Sequence, residues 1–439
     1  MAIAQGPPTA YVNARLLDPA SGLDGAGALL VVNGVIADLG PHLFSQGVPS
    51  GMAVIDCGGH CLAPGLIDLR VNLREPGEEH KETIKTASLA AAAGGVTTMV
   101  ALPNSDPVVD DVAGLEFVAR RARDVKLVKI YSYGTVTRRY EGQQLTEFGL
   151  LKDYGAVGFT DGLRAVASPQ VMRRALSYAR AFDQVIVQTP QEPSLTKGVM
   201  NSGELSTRLG LAGIPPMGEV IMLERDLRLA EMTGGRYHAA LISTAESVEV
   251  VRRAKARGLR VTCDTAPHYF TLNEFAVGDY RSFAKVMPPL RSESDRLAVA
   301  AGLAEGVIDA IASDHSPHDQ DSKRLPFAQA AFGIVGLETL LPLSLAPMHR
   351  GELPLLSVLA KLTSGPASVL GLPGGRLLVG APADLVLFDP DFPWKLEPAD
   401  FLSKSKNSPF EGHLVQGRVM RTVVDGRSIF ALDTDIGGA

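Results

Sequence analysis

Three polar residues stand at alternate positions in an apolar stretch near residue 70. The stretch runs from Ala63 to Gly77, and its central part carries Asp68, Arg70 and Asn72. Every second side chain of a β-strand points the same way, so these three are predicted to share one face. The pattern indicates a buried strand with a polar tip, where a carboxylate, a guanidinium and an amide could hold a ligand or ion.

Carboxylates also follow two later apolar runs. Asp161 comes after Ala156-Val-Gly-Phe159, and Asp314 comes after Ala310-Ile-Ala-Ser313. Two facing carboxylates repel each other, and a buried unpaired charge is costly. We therefore predict that Arg70 forms an ion pair with Asp314, with Asp161 or with both. The alternative is that Arg70 points to solvent.

A short cluster, Cys57-Gly-Gly-His60-Cys61, raises the question of a zinc site. Its three candidate ligands lie within one short segment, and no fourth stands nearby. Structural zinc sites usually take paired ligands from two separated segments. We interpret the cluster as a turn that enters the barrel described next.

Apolar runs alternate with helical stretches from residue 62 to residue 373. The predicted strands include residues 97–102, 156–159, 185–188, 237–242, 260–263 and 307–313. The predicted helices include residues 81–93, 171–181, 218–232 and 247–256. Repeated βα units of this kind predict an α/β fold, a (β/α)8 TIM barrel, with functional residues at the carboxyl ends of the strands. An open doubly wound sheet is the alternative, although no G-x-G-x-x-G motif opens a helix after the first strand.

The two ends of the chain share a different pattern, with short strand-like runs and turn residues. Asn33-Gly34 between apolar runs is a strong hairpin signal. Residues 1–61 and 374–439 are therefore predicted to form one small β-sandwich beside the barrel at residues 62–373.

Composition argues against several classes of function. The 439 residues carry a net charge of −6 without a basic run, so nucleic acid is not an expected partner. No signal peptide is predicted at residues 1–8, and no apolar stretch is long enough to span a membrane. Three cysteines make no disulfide framework. We expect a cytoplasmic protein.

Motifs spread from residue 60 to residue 370 resemble those of the dihydroorotases. They include Pro64-Gly-Leu-Ile-Asp68, Leu73-Arg-Glu-Pro-Gly77, Leu102-Pro-Asn-Ser105, Ser243-Thr-Ala-Glu-Ser247 and Asp314-His-Ser-Pro-His318. The resemblance implies an amidohydrolase barrel in which one or two zinc ions activate a water and polarise the amide carbonyl.

The resemblance also implies where the metal ligands would stand. Two histidines of the first strand correspond to Arg70 and Asn72, and the remaining carboxylates are Asp161 and Asp314. Arginine cannot lose its proton in a protein, and a neutral amide oxygen is a poor zinc ligand.

Two further ligand histidines correspond to Thr189 and Leu241. A leucine has no lone pair, and a threonine hydroxyl is a weak ligand for zinc. We therefore predict that the metal site is lost and that zinc is absent.

The substrate positions implied by the resemblance are partly retained. Arg74, Asn104 and His318 match them, whereas Met287 and Tyr269 stand where the family has an asparagine and a histidine. A simple ion pair of Arg74 with Glu75 or Glu78 is an equally open interpretation.

From these losses we predict a catalytically inactive dihydroorotase-like pseudoenzyme of pyrimidine biosynthesis. In the family, such a chain is a structural subunit that assembles with the catalytic chain of aspartate transcarbamoylase, in a homo-oligomer or hetero-oligomer. Asp314 would then be vestigial, and no catalytic residue is expected. One alternative is a divergent dihydroorotase or cyclic amidohydrolase in which Asp314 acts as a general base. Another is a ligand sensor that uses Arg74, Asn104 and His318.

Overall fold

The computed structural model describes residues 7–432. Residues 1–6, where no signal peptide is predicted, and residues 433–439, the end of the predicted small domain, lie outside the described residues.

Within residues 7–432 the strands are β1 (Thr9–Asp18), β2 (Leu23–Val32), β3 (Val35–Gly40), β4 (Ala53–Asp56), β5 (Cys61–Pro64), β6 (Leu66–Val71), β7 (Val96–Ala101), β8 (Lys129–Gly134), β9 (Ala156–Phe159), β10 (Val185–Gln188), β11 (Met200–Asn201), β12 (Gly213–Ile214), β13 (Arg236–Ala239), β14 (Val261–Thr265), β15 (Ala310–Ile311), β16 (Leu385–Lys395), β17 (Leu414–Val424) and β18 (Arg427–Ala431).

The helices are α1 (Ile84–Ala93), α2 (Val112–Val125), α3 (Phe148–Asp153), α4 (Pro169–Arg180), α5 (Glu204–Leu209), α6 (Met217–Thr233), α7 (Ala245–Ala256), α8 (Pro267–Thr271), α9 (Glu293–Ala304), α10 (Gln320–Arg324), α11 (Leu340–His349), α12 (Leu355–Leu362) and α13 (Ser364–Leu370). Short 3-10 helices lie at Arg138–Tyr140, Glu274–Val277, Ser282–Ala284, Leu337–Thr339 and Pro398–Asp400.

A parallel sheet of eight strands forms the barrel. Its strands are adjacent in the order β6, β7, β8, β9, β10, β13, β14 and β15. A parallel bridge between Val71 and His315 joins the end of β6 to the segment after β15, and the Asn72 amide donates to the His315 carbonyl at 2.9 Å. These contacts bring the two edges of the sheet together. The predicted (β/α)8 barrel is confirmed.

Local sequence explains where the helices and strands end. The helix predicted to begin at residue 81 begins at Ile84, because the Thr83 hydroxyl caps it by accepting from the Thr86 amide. The strand predicted to reach residue 242 ends at Ala239, because Leu241 has a φ of +58° that a strand cannot continue.

The stretch from Ala63, predicted as one barrel strand, is divided between two sheets. Cys61–Pro64 pairs with β1 and β16 in the small domain, and the barrel strand begins at Leu66. Gly65 lies between them, where a Cβ would stand 2.1 Å from the Thr97 Cγ2. Only glycine allows the two sheets to approach so closely.

Both described ends of the chain contribute to the second domain, as predicted. Its eight-stranded sheet has the order β18-β17-β16-β5-β1-β2-β3, with β4 paired to β1. The Asn33-Gly34 hairpin is confirmed, and both residues take positive φ. A Cβ on Gly34 would lie 2.8 Å from the Asp425 carbonyl oxygen, so the β2–β3 turn meets the β17–β18 turn. The sheet therefore curls over its own apolar core. The boundaries at residues 61 and 373 stay a prediction.

Membrane insertion finds no support in the helices. Among residues 7–432, no helix combines the length and the apolar character that crossing a bilayer requires.

Candidate active site

The polar tip of β6 contacts the segment that follows β15. Asp68 accepts from the backbone amide of Ser313 at 3.1 Å, and the Asn72 side-chain amide donates to the His315 carbonyl at 3.1 Å. Arg70 lies between them in sequence, and all three side chains are buried. The alternation predicted from the sequence therefore brings these residues against one neighbouring segment at the barrel mouth.

Arg70 forms a buried ion pair with Asp314, as predicted. The Nε atom donates to Oδ1 at 3.0 Å, and the two side chains are 2% and 6% exposed. Asp161, the other predicted partner, instead accepts from the Thr137 amide at 3.0 Å and from the Thr137 hydroxyl at 2.5 Å. Arg70 therefore forms an ion pair with Asp314 and not with Asp161.

Burial perturbs the carboxyl groups of this region. Desolvation raises the pKa of Asp68, Asp161 and Asp314 to about 6 in each case. Hydrogen bonds from Thr137 oppose the rise at Asp161, and the positive charge of Arg70 opposes it at Asp314. At neutral pH the three groups are mainly ionised, and they take up protons in weak acid.

Several buried polar atoms near the mouth have no protein partner. Among the described residues they include Arg70 Nη2, Tyr140 Oη and Asp68 Oδ2. A Cβ built on Gly162 would lie 3.3 Å from Tyr140 Oη and 4.0 Å from Asn104 Cβ. The tyrosine hydroxyl thus lies beside the turn that follows Asp161 and beside the loop after β7. Burial raises the Tyr140 pKa well above 10, so the hydroxyl stays a donor.

An amide pair links two loops at the rim. The Asn104 side-chain amide donates to the Asn72 Oδ1 at 2.5 Å. Asn104 follows β7 and Asn72 follows β6, so their bond ties adjacent strand ends together. Asn104, one of the predicted substrate residues, therefore lies next to the polar tip of β6.

Arg74 and His318 also meet at the rim. Arg74 Nη1 pairs with the Glu78 carboxylate at 2.7 Å, Nε donates to the Pro317 carbonyl at 3.1 Å, and Nη2 lies 3.2 Å from His318 Nε2. The ion pair with Glu78 was one of the interpretations left open by the sequence, and it coexists with the contact to His318. Arg74 takes a φ of +60°, an uncommon conformation for a residue other than glycine.

His318 is neutral in this environment. Burial and the nearby charge of Arg74 lower its pKa to about 3. Its Nε2 lies 2.8 Å from the Phe332 carbonyl oxygen, which can only accept, so Nε2 donates there, and the approach of Arg74 Nη2, itself a donor, is then a contact and not a hydrogen bond. The buried Nδ1 has no hydrogen-bond partner among the described residues and is then an acceptor.

The other two predicted ligand positions serve the protein scaffold. The Thr189 hydroxyl donates to the Gly162 carbonyl at 3.2 Å. The Leu241 side chain lies in the apolar core, and its amide donates to Asp264 Oδ1 at 2.7 Å. The Tyr269 hydroxyl, at a position where the resemblance implies a histidine, donates to the Pro288 carbonyl at 2.7 Å.

The donor set of the mouth does not fit a zinc ion. Among residues 7–432, no group of three or more His, Cys, Asp or Glu side chains is arranged to hold a metal. Asp314 is already neutralised by Arg70, whose fixed positive charge opposes a second cation. The Cys57 to Cys61 cluster forms the turn between β4 and β5, and its cysteines are free thiols.

Two features, one in a loop and one between barrel strands, were missed by sequence reasoning. Tyr140 lies in a 3-10 helix of the loop after β8, where no strand periodicity marks it. His238 contacts Asp264 with Nε2 and Oδ2 2.9 Å apart, between β13 and β14. His238 and Asp264 each follow a residue of the strand core, Tyr237 or Cys263, on neighbouring strands. A polar residue at the alternate position of both strands could have indicated that pair.

Family models match most of the chain. A model described as "Dihydro-orotase-like" matches residues 59–247, and one described as "Amidohydrolase family" matches residues 224–430. A solved structure is also similar to this chain. The "L-Hydantoinase (Dihydropyrimidinase)" from Arthrobacter aurescens superposes with a TM-score of 0.84 at 25% identity, and the match covers 96% of this chain and 95% of that one.

Curated relatives are more similar in sequence. "Dihydroorotase" of Anaplasma phagocytophilum is 48% identical over 96% of this chain and 95% of its own. "Dihydroorotase" of Pelobacter propionicus is 44% identical over 95% of this chain and 98% of its own.

These relatives overturn the prediction of a catalytically inactive pseudoenzyme. Near-full-length similarity is to proteins named plainly as dihydroorotases, and nothing in those names indicates a non-catalytic subunit. The prediction was wrong because it inferred lost chemistry from the residue types at four positions matched by resemblance alone. The chain belongs to the dihydroorotase family of the amidohydrolase superfamily.

Proposed function

We propose that this chain is an active, divergent dihydroorotase that hydrolyses the ring amide of dihydroorotate in pyrimidine biosynthesis. The observation that carries the proposal is the 48% identity to a dihydroorotase over 96% of the chain. Similarity of this extent covers the barrel, both loops of the rim and the small domain together.

The rim offers groups that suit such a substrate. Dihydroorotate presents a carboxylate and ring carbonyl and N–H groups. Arg74 is a cation at the rim, Asn104 is an amide with donor and acceptor atoms, and the neutral His318 offers an acceptor nitrogen. The nitrogens of Arg74 already contact Glu78, Pro317 and His318, so its positive charge would attract the carboxylate, and a direct hydrogen bond would have to displace one of these contacts.

Asp314 is the residue best placed to act as a general base. It is the carboxylate at the end of the last barrel strand, buried beside Arg70. In the proposed reaction, a water oxygen attacks the ring carbonyl carbon and Asp314 accepts a water proton. As the carbon–nitrogen bond breaks, Asp314 returns that proton to the ring nitrogen, and the acid that forms loses its own proton to solvent as a carboxylate.

The proposal is tested with protein purified from a host that lacks its own dihydroorotase. Ring opening of dihydroorotate, or closure of the carbamoyl-aspartate product, should exceed the uncatalysed rate and scale with protein concentration. A folded preparation that shows no turnover in either direction would reject the function.

Association with the catalytic chain of aspartate transcarbamoylase, and assembly into a homo-oligomer or hetero-oligomer, stay predictions based on the family resemblance. They do not depend on loss of activity. Co-expression of the two chains followed by size-exclusion chromatography tests them, and separate elution of the two proteins would contradict the association. A cytoplasmic location likewise remains a proposal.

A further inference from the structure

We propose that Arg70 supplies the positive charge of the active site, so that ring opening by this chain needs no bound metal ion. This inference rests on the proposed function and concerns how the same site works. In amidohydrolase barrels the cation that polarises the scissile carbonyl is a metal. Here the structure places a guanidinium at the end of the first barrel strand.

The protein holds this guanidinium in a fixed position. Arg70 stands on β6, its side chain is 2% exposed, and its Nε is bound to Asp314 at 3.0 Å. An arginine keeps its charge at any pH that a folded protein survives. The site therefore contains a permanent buried cation that needs no ligand set and no metal supply.

The same side chain keeps unused hydrogen-bonding capacity. Arg70 Nη2 is buried without a partner among the described residues, and so is the hydroxyl of Tyr140. Leaving a buried donor without a partner is unfavourable, so such atoms usually serve a ligand or a water. Each of these two groups can donate a hydrogen bond to a carbonyl oxygen. We assign them to the ring carbonyl that is attacked.

The assignment gives each group one role. Negative charge develops on the carbonyl oxygen as the water oxygen bonds to carbon, and the donors Arg70 Nη2 and Tyr140 Oη stabilise it. The proton leaves the water for Asp314, which is bound to Nε of the same guanidinium. As the carbon–nitrogen bond breaks, Asp314 gives this proton to the leaving nitrogen, so the carboxylate is regenerated and water is the only co-reactant.

The first experiment measures metal content and chelator sensitivity on the full chain. Protein expressed with added zinc and then dialysed should contain far less than one zinc per chain by plasma mass spectrometry. Its rate of ring opening should be unchanged after incubation with EDTA. One zinc retained per chain, or activity lost to EDTA and restored by zinc, would overturn the inference while leaving the proposed function intact.

The second experiment changes the cation. Arg70→Gln should lower kcat about 100-fold to 1,000-fold, the usual effect of removing an oxyanion donor, with a smaller change in KM. Arg70→Lys should recover part of that loss because it keeps the charge. Arg252→Gln is the matched control, since Arg252 pairs with Glu249 and Glu305 on the outer surface, and its kcat should equal that of the unchanged protein.

Because Arg70→Gln removes a buried charge and could fail to fold, Tyr140→Phe provides an independent test. It deletes a hydroxyl that has no protein partner, so the melting temperature should stay unchanged while kcat falls about 10-fold. Wild-type kcat in Tyr140→Phe and in a folded Arg70→Gln protein would refute the assignment. Absence of any turnover in the unchanged protein would instead reject the proposed function, and the inference with it.

Discussion

Two arginine–aspartate pairs in this barrel have a buried carboxylate and differ in their surroundings. Arg70 and Asp314 form one at the barrel mouth, whereas Arg225 and Asp226 form the other on α6, outside the barrel wall. Burial raises the pKa of both aspartates to about 6. A perturbed pKa alone therefore does not separate a catalytic carboxyl from a structural one.

The hydrogen bonds separate them. Asp226 Oδ1 accepts from Arg225 at 2.9 Å and 2.7 Å, and Oδ2 accepts from Gln188 at 2.5 Å and Tyr237 at 2.9 Å. Arg225 also donates to two backbone carbonyls of the loop before α4. At the mouth, Arg70 Nη2 and the Tyr140 hydroxyl have no hydrogen-bond partner within residues 7–432. The satisfied pair holds the helix to the barrel, and the unsatisfied pair has donors left for a substrate.

The largest effect is expected from a substitution in the Arg70–Asp314 pair at the barrel mouth. Asp314→Asn removes the proposed base while its Oδ1 can still accept from Arg70, and we expect kcat/KM to fall about 1,000-fold. Initial rates with dihydroorotate measure this. Asp226→Asn is the matched change in the other pair and should keep kcat/KM within about 2-fold. A folded Asp314→Asn protein with more than a tenth of wild-type activity would remove Asp314 from the mechanism.

The next largest effect is expected from a substitution in the Arg225–Asp226 pair. Asp226→Ala leaves Arg225, Gln188 and Tyr237 without their acceptor, and we expect the free energy of unfolding to fall by about 3 kcal/mol. Urea unfolding followed by circular dichroism measures it. Asp124→Ala, on the exposed face of α2, is the control and should change stability by less than about 0.5 kcal/mol. Equal stability of the two variants would show that the Asp226 network does not stabilise the fold.

A smaller effect depends on pH. The Asp226 pKa is raised from 3.8 to about 6, so between these values the folded chain binds the proton that the unfolded chain has lost. This group therefore stabilises the fold less as pH rises through that window. Relative to Asp226→Asn, the wild type should lose on the order of 2 kcal/mol between pH 4 and pH 7. A stability difference that is constant over this range, measured by urea unfolding, would place the Asp226 pKa near its usual value.

The smallest effect concerns the rim. Arg74→Lys keeps the charge but loses the planar fork that contacts Glu78, Pro317 and His318, and KM should rise about 10-fold with kcat nearly unchanged. Steady-state rates over a range of dihydroorotate concentrations separate the two constants. Arg252→Lys on the outer surface should leave KM unchanged. A change confined to kcat would move Arg74 from substrate binding to the chemical step.

Much of the fold was predictable because its signals are local. The α4, α6 and α7 helices lie within two residues of their predicted bounds, and the Asn33-Gly34 turn needs only its own two residues. The division of the stretch near Ala63 was not predictable, because it depends on Thr97 contacting Gly65 from another strand. Tyr140 was missed for a similar reason, since its position beside Gly162 is a contact between separate loops.

The sequence by itself determined the family, the alternation of strands and helices, and the residue types at the strand tips. It also placed Arg70 and Asn72 on one face of the first barrel strand, since residue identity and the alternation of a strand need no tertiary structure. Tertiary structure decided that Arg70 binds Asp314 and not Asp161, and that one guanidinium nitrogen stays free. Hydrogen-bond partners are set by distances between segments more than 200 residues apart, which no local pattern records.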